Sequence, residues 1–481
     1  MIFNDLRGFI EECQRQKDCK VVENADWNLE LGLITEIAAK NPDSPLLLFD
    51  NVKGYKKGYR VAANLFTKPS RTALALGLPL EAKGVEQVKA WREKIKGDEK
   101  LLPPVEVKTG PVLENILRGD DVDLYKFPVP KWHELDGGRY IGTADMVITR
   151  DPEEGWVNLG THRVQIHDKN TGTIHMSPGR HCEMMARKYW DKGQACPVVV
   201  TCGQEPFLWG ACHTFHPWGV SEYDYAGGLR GKPYEVVAGE FTGLPIPATA
   251  EIALEGELLS PDVELKVEGP FGEWPGHYGR GRYMGKTPVF KIKAIYHRHD
   301  PILMGTPPFI PPATFTLGEH IRRAASIWSE LDRQVPGVKG VSVIQEAGTY
   351  WMIAISLEQK YPGHAKQAAL AALGSNAGAY LLKYVIVVDE DIDPSNTADV
   401  LWAIASRTDP KDAIDFVTGC WGSQTDPILS PLKRQIHDFT HSTAIIMACK
   451  PYHWIKEFPP SIRTSPALLE EVRKKWSHIF S

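Results

Sequence analysis

Trp156-Val157-Asn158-Leu159-Gly160-Thr161-His162-Arg163-Val164-Gln165-Ile166 decides how the middle of this chain is read. The run reads as a strand, yet Asn158, His162 and Arg163 place an amide, an imidazole and a guanidinium within it. Side chains alternate faces along a regular strand, so Asn158 and Arg163, an odd number of positions apart, point to opposite sides. They serve one site only if the strand bulges, which Gly160 between them permits. An arginine on an exposed edge strand is the alternative.

Outward from this stretch, short apolar or alternating runs recur between about 110 and 310: Ala144–Thr149, Thr173–Met176, Pro197–Thr201, Glu235–Val237, Ala248–Leu254 and Val289–His297. Gly/Pro-rich turns separate them, and one helix is expected from about His181 to Asp191. Many short strands with such turns predict a barrel or sandwich. The first hundred residues mix helix (Asp5–Gln16) with strand (Leu46–Phe49), and Arg92–Lys100 before Pro103-Pro104 reads as a boundary. Beyond 315 the pattern alternates: helix Gly318–Val335, strands Val341–Glu346 and Trp351–Leu357, helix His364–Leu373, strand Tyr384–Val388, helix Thr397–Ser406. Amphipathic Pro466–Ile479 reads as a dimer or domain clasp. The expected division is 1–110, 111–315, 316–450 and a tail, 451–481.

With 481 residues and 43% hydrophobic content, the chain can bury a large core. A net charge of −5 without long single-sign runs argues against a nucleic-acid binder. The N-terminus lacks a signal-peptide core, and the longest apolar runs have strand length, so no membrane span is expected. Eight cysteines form no CxxC pair and read as reduced thiols of a cytoplasmic protein.

Glu268-Gly269-Pro270-Phe271-Gly272-Glu273 sets two carboxylates around a tight turn, with Phe271 and Trp274 adding apolar surface. Such surroundings and a like-charged neighbour favour a protonated carboxyl, the setting of a general acid. An acidic surface turn has the same spacing. Ser177-Pro178-Gly179-Arg180-His181, where a strand ends and a helix begins, suits an anion. Glu222 lies between an aromatic stretch (Phe215, Trp218) and glycine-rich Ala226–Gly231. Asn158, His181 and Glu222 together suit Mn²⁺ or Mg²⁺ completed by phosphate oxygens better than a closed zinc site. His437-Asp438-Phe439-Thr440-His441 imitates a zinc helix, but strand-like residues follow it. Asp389–Asp393 imitates a metal loop between strand and helix, and Gly279-Arg280-Gly281-Arg282 reads as a basic turn. No Rossmann fingerprint, P-loop or nucleophile elbow is present.

With Asp5-Leu6-Arg7, Ala75–Gly77, Asn158…Arg163, Gly179-Arg180-His181, Ser221-Glu222-Tyr223, Pro247–Ile252, Glu268–Glu273, Asp391–Pro394 and Val400–Ala403, the chain resembles the UbiD family of prenylated-FMN-dependent decarboxylases over nearly its whole length. The resemblance implies an α+β fold with a central split β-barrel of the flavin-reductase kind, flanked by α/β regions, and a C-terminal element for dimerisation. It implies Asn158, His181 and Glu222 as ligands of Mn²⁺ (or Mg²⁺) holding the cofactor phosphate. Thr161, His162, Arg163, Arg180, Cys212 and Thr214 would also face the cofactor, and K⁺ would sit on backbone carbonyls around Leu159 and Ala211–Thr214. Where the family carries a lysine toward the phosphate, this chain has Asn376. Arg163, Glu268 and Glu273 match a catalytic network in which Arg163 holds the substrate carboxylate, Glu268 orients Arg163 and Glu273 gives the proton. A flavin prenyltransferase would supply the cofactor, and the assembly would be a homodimer or a hexamer.

Trp274, His297, Thr306, Phe309 and His437 are the expected substrate-pocket residues, with His299 a further polar candidate and Thr306–Phe315 as an apolar wall. A planar aromatic or heteroaromatic acid fits best, and an α,β-unsaturated acrylic acid is the alternative. Carboxylation at high CO₂ is the reverse direction. The rivals from other classes are a split-barrel flavin-binding oxidoreductase or storage protein, and a metal-dependent hydrolase.

Overall fold

A computed structural model describes residues 2–41, 43–96, 100–214, 216–279, 285–312 and 318–480. Phe215, Arg280, Gly281, Arg282 and Phe315, singled out above, lie outside the described residues.

The centre is a ten-stranded sheet whose main path runs Arg139–Gly142, Val164–Ile166, Thr171–Ile174, Lys286–His297, Ile252–Leu258, Cys196–Cys202, Asp145–Arg150, Val157–Gly160. Every pairing along it is antiparallel. The first and seventh strands of this path are consecutive in sequence, from Gly142 to Asp145. Six strand spacings would separate them by about 29 Å in a flat sheet. Three Cα steps reach at most about 11 Å. The sheet must therefore curl on itself, and it forms a partly closed barrel.

Alternate residues of these strands enter two different cores. Val147, Val198, Val200, Leu254 and Phe290 pack on one side, while Met146, Ile148, Val199 and Ala253 pack on the other. Burial on both faces is why these strands read as continuous apolar runs.

A four-stranded sheet at the N-terminal end joins Cys19–Glu23, Leu46–Asp50 and Arg60–Ala63 to Ile302–Met304, which returns from far along the chain. Its helix Leu6–Arg15 is capped by Asp5, whose carboxylate accepts Gly8 N–H, and buries Leu6, Phe9, Ile10 and Cys13. The C-terminal sheet runs Val338–Val343, Met352–Leu357, Tyr384–Asp389, His441–Ala448, Ile414–Cys420, with helices Glu319–Leu331, His364–Gly374 and Thr397–Arg407.

Three readings change. Glu222–Arg230 is a helix despite Gly227 and Gly228. A Cβ on Gly227 would lie 2.5 Å from Leu102 O, and one on Gly228 1.6 Å from Lys100 O, so these glycines admit a crossing backbone. Ile414–Cys420, an edge strand absent from the sequence reading, pairs with His441–Ala448. The acids at 389–391 are met by Arg407, which donates to Asp389 at 2.7 Å and twice to Asp391 at 2.8 Å. His437 has left-handed backbone and His441 opens a strand, so the pair shares no helix face. All eight cysteines are unpaired thiols. Among the described residues no helix is long and apolar enough to cross a membrane.

Candidate active site

The strand expected over 156–166 is two strands. Val157–Gly160 pairs with Asp145–Arg150 at one end of the path, whereas Val164–Ile166 lies between Arg139–Gly142 and Thr171–Ile174 near the other. Thr161, His162 and Arg163 carry the chain across, so the expected bulge is a crossover. His175 N–H donates to Arg163 O at 3.1 Å and fixes its far side. A Cβ on Gly160 would come 2.8 Å from His162 Nε2, so the glycine makes room for that ring. Burial, with Arg180 adding to it, pushes the His162 imidazole down to about 3 and keeps it neutral.

The turn 268–273 is fastened along its length. Gly269 N–H donates to Gln165 Oε1 at 3.0 Å, Gly137 N–H to Pro270 O at 2.7 Å, and Gly272 N–H to Asp136 Oδ1 at 3.1 Å. Asp136 also faces His133 Nδ1 at 3.0 Å, and His133 Nε2 lies 2.7 Å from Pro308 O, tying the turn to the 305–312 segment. A Cβ on Gly137 would sit 2.0 Å from Gly269 O, a backbone atom with nowhere to go. Gly137→Ala is therefore expected to displace the turn and cost about 1–3 kcal/mol of stability. A melting temperature equal to that of the wild type would contradict this.

Arg163 stands between the two carboxylates of the turn. Its Nε donates to Glu268 Oε1 at 2.7 Å and its Nη2 to Glu268 Oε2 at 2.8 Å, while Nη1 donates to Glu273 Oε1. Tyr140 Oη donates to Glu268 Oε1 at 3.0 Å, and His175 Nδ1 is 3.6 Å from Oε2. Burial alone would raise the Glu268 carboxyl, but the charge and hydrogen bonds of Arg163, with His175 and Tyr140, hold it below the usual range. Glu268 is thus an ionised partner of Arg163, so the protonated carboxyl expected of this turn is not Glu268. The side chain of Glu268 is fully buried, whereas Glu273 is 15% exposed, the most accessible of the three. Gly279 leaves space for it, since a Cβ there would come 2.7 Å from Glu273 Cγ.

A second polar pocket gathers around Val157–Gly160. Glu222 opens helix Glu222–Arg230, is buried, and accepts Leu159 N–H at 2.7 Å. Burial pushes its carboxyl up to about 8 despite that bond. His181 opens helix His181–Trp190, with its ring edge-on to Trp156 and Trp218. The N-cap residues of both helices, Arg180 and Ser221, make no side-chain capping bond. Asn158 is buried on the strand that both helices abut. The hydroxyls of Thr161, Thr214 and Ser221 are buried without a partner among the described residues. A buried carboxylate, an amide, an imidazole, orphaned hydroxyls and two helix N-termini fit a divalent cation with phosphate oxygens. No three His, Cys, Asp or Glu side chains group as a metal site among the described residues, and this set contains only two of those types. Cys212 Sγ faces Leu208 O, and burial pushes its thiol far up. Ala211 O accepts Thr214 N–H at 3.0 Å and lies 3.3 Å from His216 Nε2.

The expected pocket residues divide. Phe309 packs on His133 at 5.3 Å between centroids and so flanks the turn through that ring, which also meets Phe271, whereas Thr306 donates both its N–H and its hydroxyl to Thr143. Trp274 leans on Tyr350 and Trp351 of the C-terminal region, joining the acid-bearing turn to that region. His297 instead packs with Tyr59 and Phe127 at the end of the long strand. His299 Nδ1 faces Asn115 Nδ2, and His437 is exposed beside Phe439. Asn376 is exposed, its N–H donating to Glu330. The sequence reading missed Tyr140, His175, Gln165, His133 and Asp136. The paired glycines Gly137-Gly138 were the signal available for that loop.

A guanidinium clasped by two carboxylates is suited to handling a carboxylate, and the comparisons with known proteins place the chain among the carboxy-lyases. It belongs to the UbiD family: models of the 3-octaprenyl-4-hydroxybenzoate carboxy-lyase N-terminal, Rift-related and C-terminal domains match residues 10–91, 104–311 and 316–448. It is 31% identical over 441 residues to a phenolic acid decarboxylase of Streptomyces sp. (strain D7), covering 90% of each chain. It is 33% identical to a pyrrole-2-carboxylic acid decarboxylase of Pseudomonas aeruginosa, covering 84% of this chain and 83% of the other. Among solved structures it resembles the UbiD-class enzyme HmfF from Pelotomaculum thermopropionicum in complex with FMN, with a TM-score of 0.83 and 28% identity over 97% of this chain and 98% of that one. An evolved dimeric form of HmfF in complex with prFMN gives 0.81 at 27% identity, covering 97% and 98%.

Proposed function

We propose that this protein is a reversible, non-oxidative decarboxylase of a planar aromatic or heteroaromatic carboxylic acid, working with prenylated FMN and a divalent cation. The observation that carries the reading is Arg163 held between buried Glu268 and more accessible Glu273. The names of the phenolic acid and pyrrole-2-carboxylic acid relatives support the substrate class. The prFMN complex of the HmfF form supports the cofactor.

Loss of CO₂ from an sp² carbon leaves electrons that no side chain can delocalise, and prenylated FMN, when bound, supplies the sink. The protein's residues do the rest. A guanidinium has five N–H donors. Glu268 takes two of them on the Nε–Nη2 edge and Glu273 one on Nη1, which leaves one N–H on each Nη. Those two face a substrate carboxylate in bidentate fashion. Glu273 then lies beside the carbon that loses CO₂ and delivers a proton to it. Asn158, His181 and Glu222 would hold the cation, and Arg180, Thr161, Thr214 and Ser221 would face the cofactor. The curled sheet would be the flavin-binding element, a split barrel of the flavin-reductase kind within residues 111–315, between regions 1–110 and 316–450. A flavin prenyltransferase would supply the cofactor to a cytoplasmic homodimer. The tail 451–481 favours such pairing, because Leu468, Leu469 and Val472 of its helix Pro466–Lys475 and the following Trp476 are exposed.

The test is co-expression with a flavin prenyltransferase followed by CO₂ release from a panel of aryl, heteroaryl and acrylic acids. Release from ring-bound carboxylates is expected, and turnover confined to acrylic acids would move the substrate class. Turnover that needs NAD(P)H, without CO₂, would replace this reading with the flavin-binding oxidoreductase.

A further inference from the structure

Tyr140 is fully buried in strand Arg139–Gly142, its ring 4.3 Å from that of Phe271 in the turn. It pairs across the sheet with Gln165, and the register slips immediately after it. Its hydroxyl lies 3.0 Å from Glu268 Oε1 and 3.2 Å from Gln165 Oε1. One hydroxyl proton cannot serve both acceptors. The ionised oxygen is the stronger one, and Gln165 Oε1 is already taken by Gly269 N–H at 3.0 Å. The proton therefore goes to Glu268.

A buried carboxylate needs donors beyond its ion-pair partner if it is to stay ionised. Glu268 has two donors from Arg163, and His175 Nδ1, at 3.6 Å, is too distant for a hydrogen bond. Tyr140 Oη is a further donor within hydrogen-bond distance, on the oxygen that also takes Arg163 Nε. The ionisable groups facing this cluster are Arg163, His175, His167, Asp136 and, across the guanidinium, Glu273. Glu268 and Glu273 compete for one guanidinium, so whatever strengthens Glu268 as an anion sets which of them is free to carry a proton.

We propose that Tyr140 is a positioning residue for the reaction: its hydroxyl, donated to Glu268 Oε1, fixes Glu268 as the carboxylate that holds Arg163 and leaves Glu273 as the one that carries the proton. The roles of Arg163 and Glu273 in this inference rest on the function proposed above.

Tyr140→Phe removes one oxygen and keeps the ring against Phe271, so the variant should fold. Two measurements test it. The first is the melting temperature against pH of the unloaded protein, for the wild type, Tyr140→Phe, Glu268→Gln and the double variant. Glu268 is held below its usual range, so its contribution is present above the unfolded carboxyl value of about 4.3 and lost as pH falls through the folded value. The gap between wild type and Tyr140→Phe should be widest near neutral pH, narrow below about pH 4, and lose its pH dependence when residue 268 is glutamine, whose amide oxygen still accepts the hydroxyl but carries no charge. A gap that is constant with pH in the Glu268 protein, or that keeps its pH dependence in the Glu268→Gln background, would overturn the proposal whether or not the protein is a decarboxylase. The second is the pH profile of CO₂ release by the loaded enzyme. In Tyr140→Phe the acidic limb should move to higher pH, and kcat at neutral pH should fall about tenfold with KM within about twofold. An unmoved limb and unchanged kcat would overturn the part given to Tyr140 in the reaction. Failure of the functional reading would show separately, as a loaded wild type that releases no CO₂.

Discussion

Glu273→Gln is expected to lower kcat for decarboxylation by a factor of about 10²–10⁴, the usual worth of a positioned proton donor. The substitution keeps the shape of the side chain and leaves an amide on Arg163 Nη1, so the guanidinium and Glu268 stay in place. KM should change little, because the carboxylate-binding edge of Arg163 is untouched. Stability should also change little, since Glu273 is the more accessible of the two carboxylates. Steady-state kinetics and a melting curve check both halves. A variant that loses activity only through unfolding would remove Glu273 from the chemistry.

Arg163→Met is expected to abolish measurable turnover and to destabilise the protein by about 3–5 kcal/mol at neutral pH, because the Glu268 carboxylate is left buried without its partner. In the wild type the Glu268 carboxyl lies below the ordinary range. Its stabilising contribution is therefore present at neutral pH and lost as pH falls through the folded value. Without Arg163, burial pushes the same carboxyl up, and its ionisation then destabilises the fold above the unfolded value. Both effects make the loss of stability largest near neutral pH and smaller in acid. Adding Glu268→Gln to Arg163→Met should recover much of the stability and none of the activity. Denaturant titrations at several pH values measure this, and a pH-independent loss would contradict it.

How much of this was legible depends on whether a residue's neighbours are near in sequence. The odd spacing of Asn158 and Arg163 around Gly160 allowed both into one site only if the strand broke regularity, and the crossover at 161–163 is a larger break than the bulge considered. The turn 268–273 was legible from Pro270 and its glycines, with both carboxylates meeting on Arg163. Tyr140 was invisible because a tyrosine in a buried strand is an ordinary core residue, and its acceptor lies 128 positions away. Asp136 was missed for the same reason, since the Gly272 N–H it accepts lies 136 positions away. The helix at Glu222–Arg230 was hidden by glycines whose purpose, a close crossing by residues 100–102, exists only in three dimensions. His297 and His437 were placed in the pocket on chemical type alone, and the structure sets them apart from Arg163, beside Tyr59 and Phe127 in one case and Phe439 in the other.

The most direct test of the account is where solvent hydrogen goes. The prenylated-FMN-loaded protein would be incubated with an aromatic acid it turns over, in D₂O, alongside Glu273→Gln. The account predicts one deuterium at the ring carbon that carried the carboxylate, formed by the wild type and reduced in the variant in step with CO₂ release. Deuterium placed elsewhere, or CO₂ release and labelling equal in the two proteins, would contradict it.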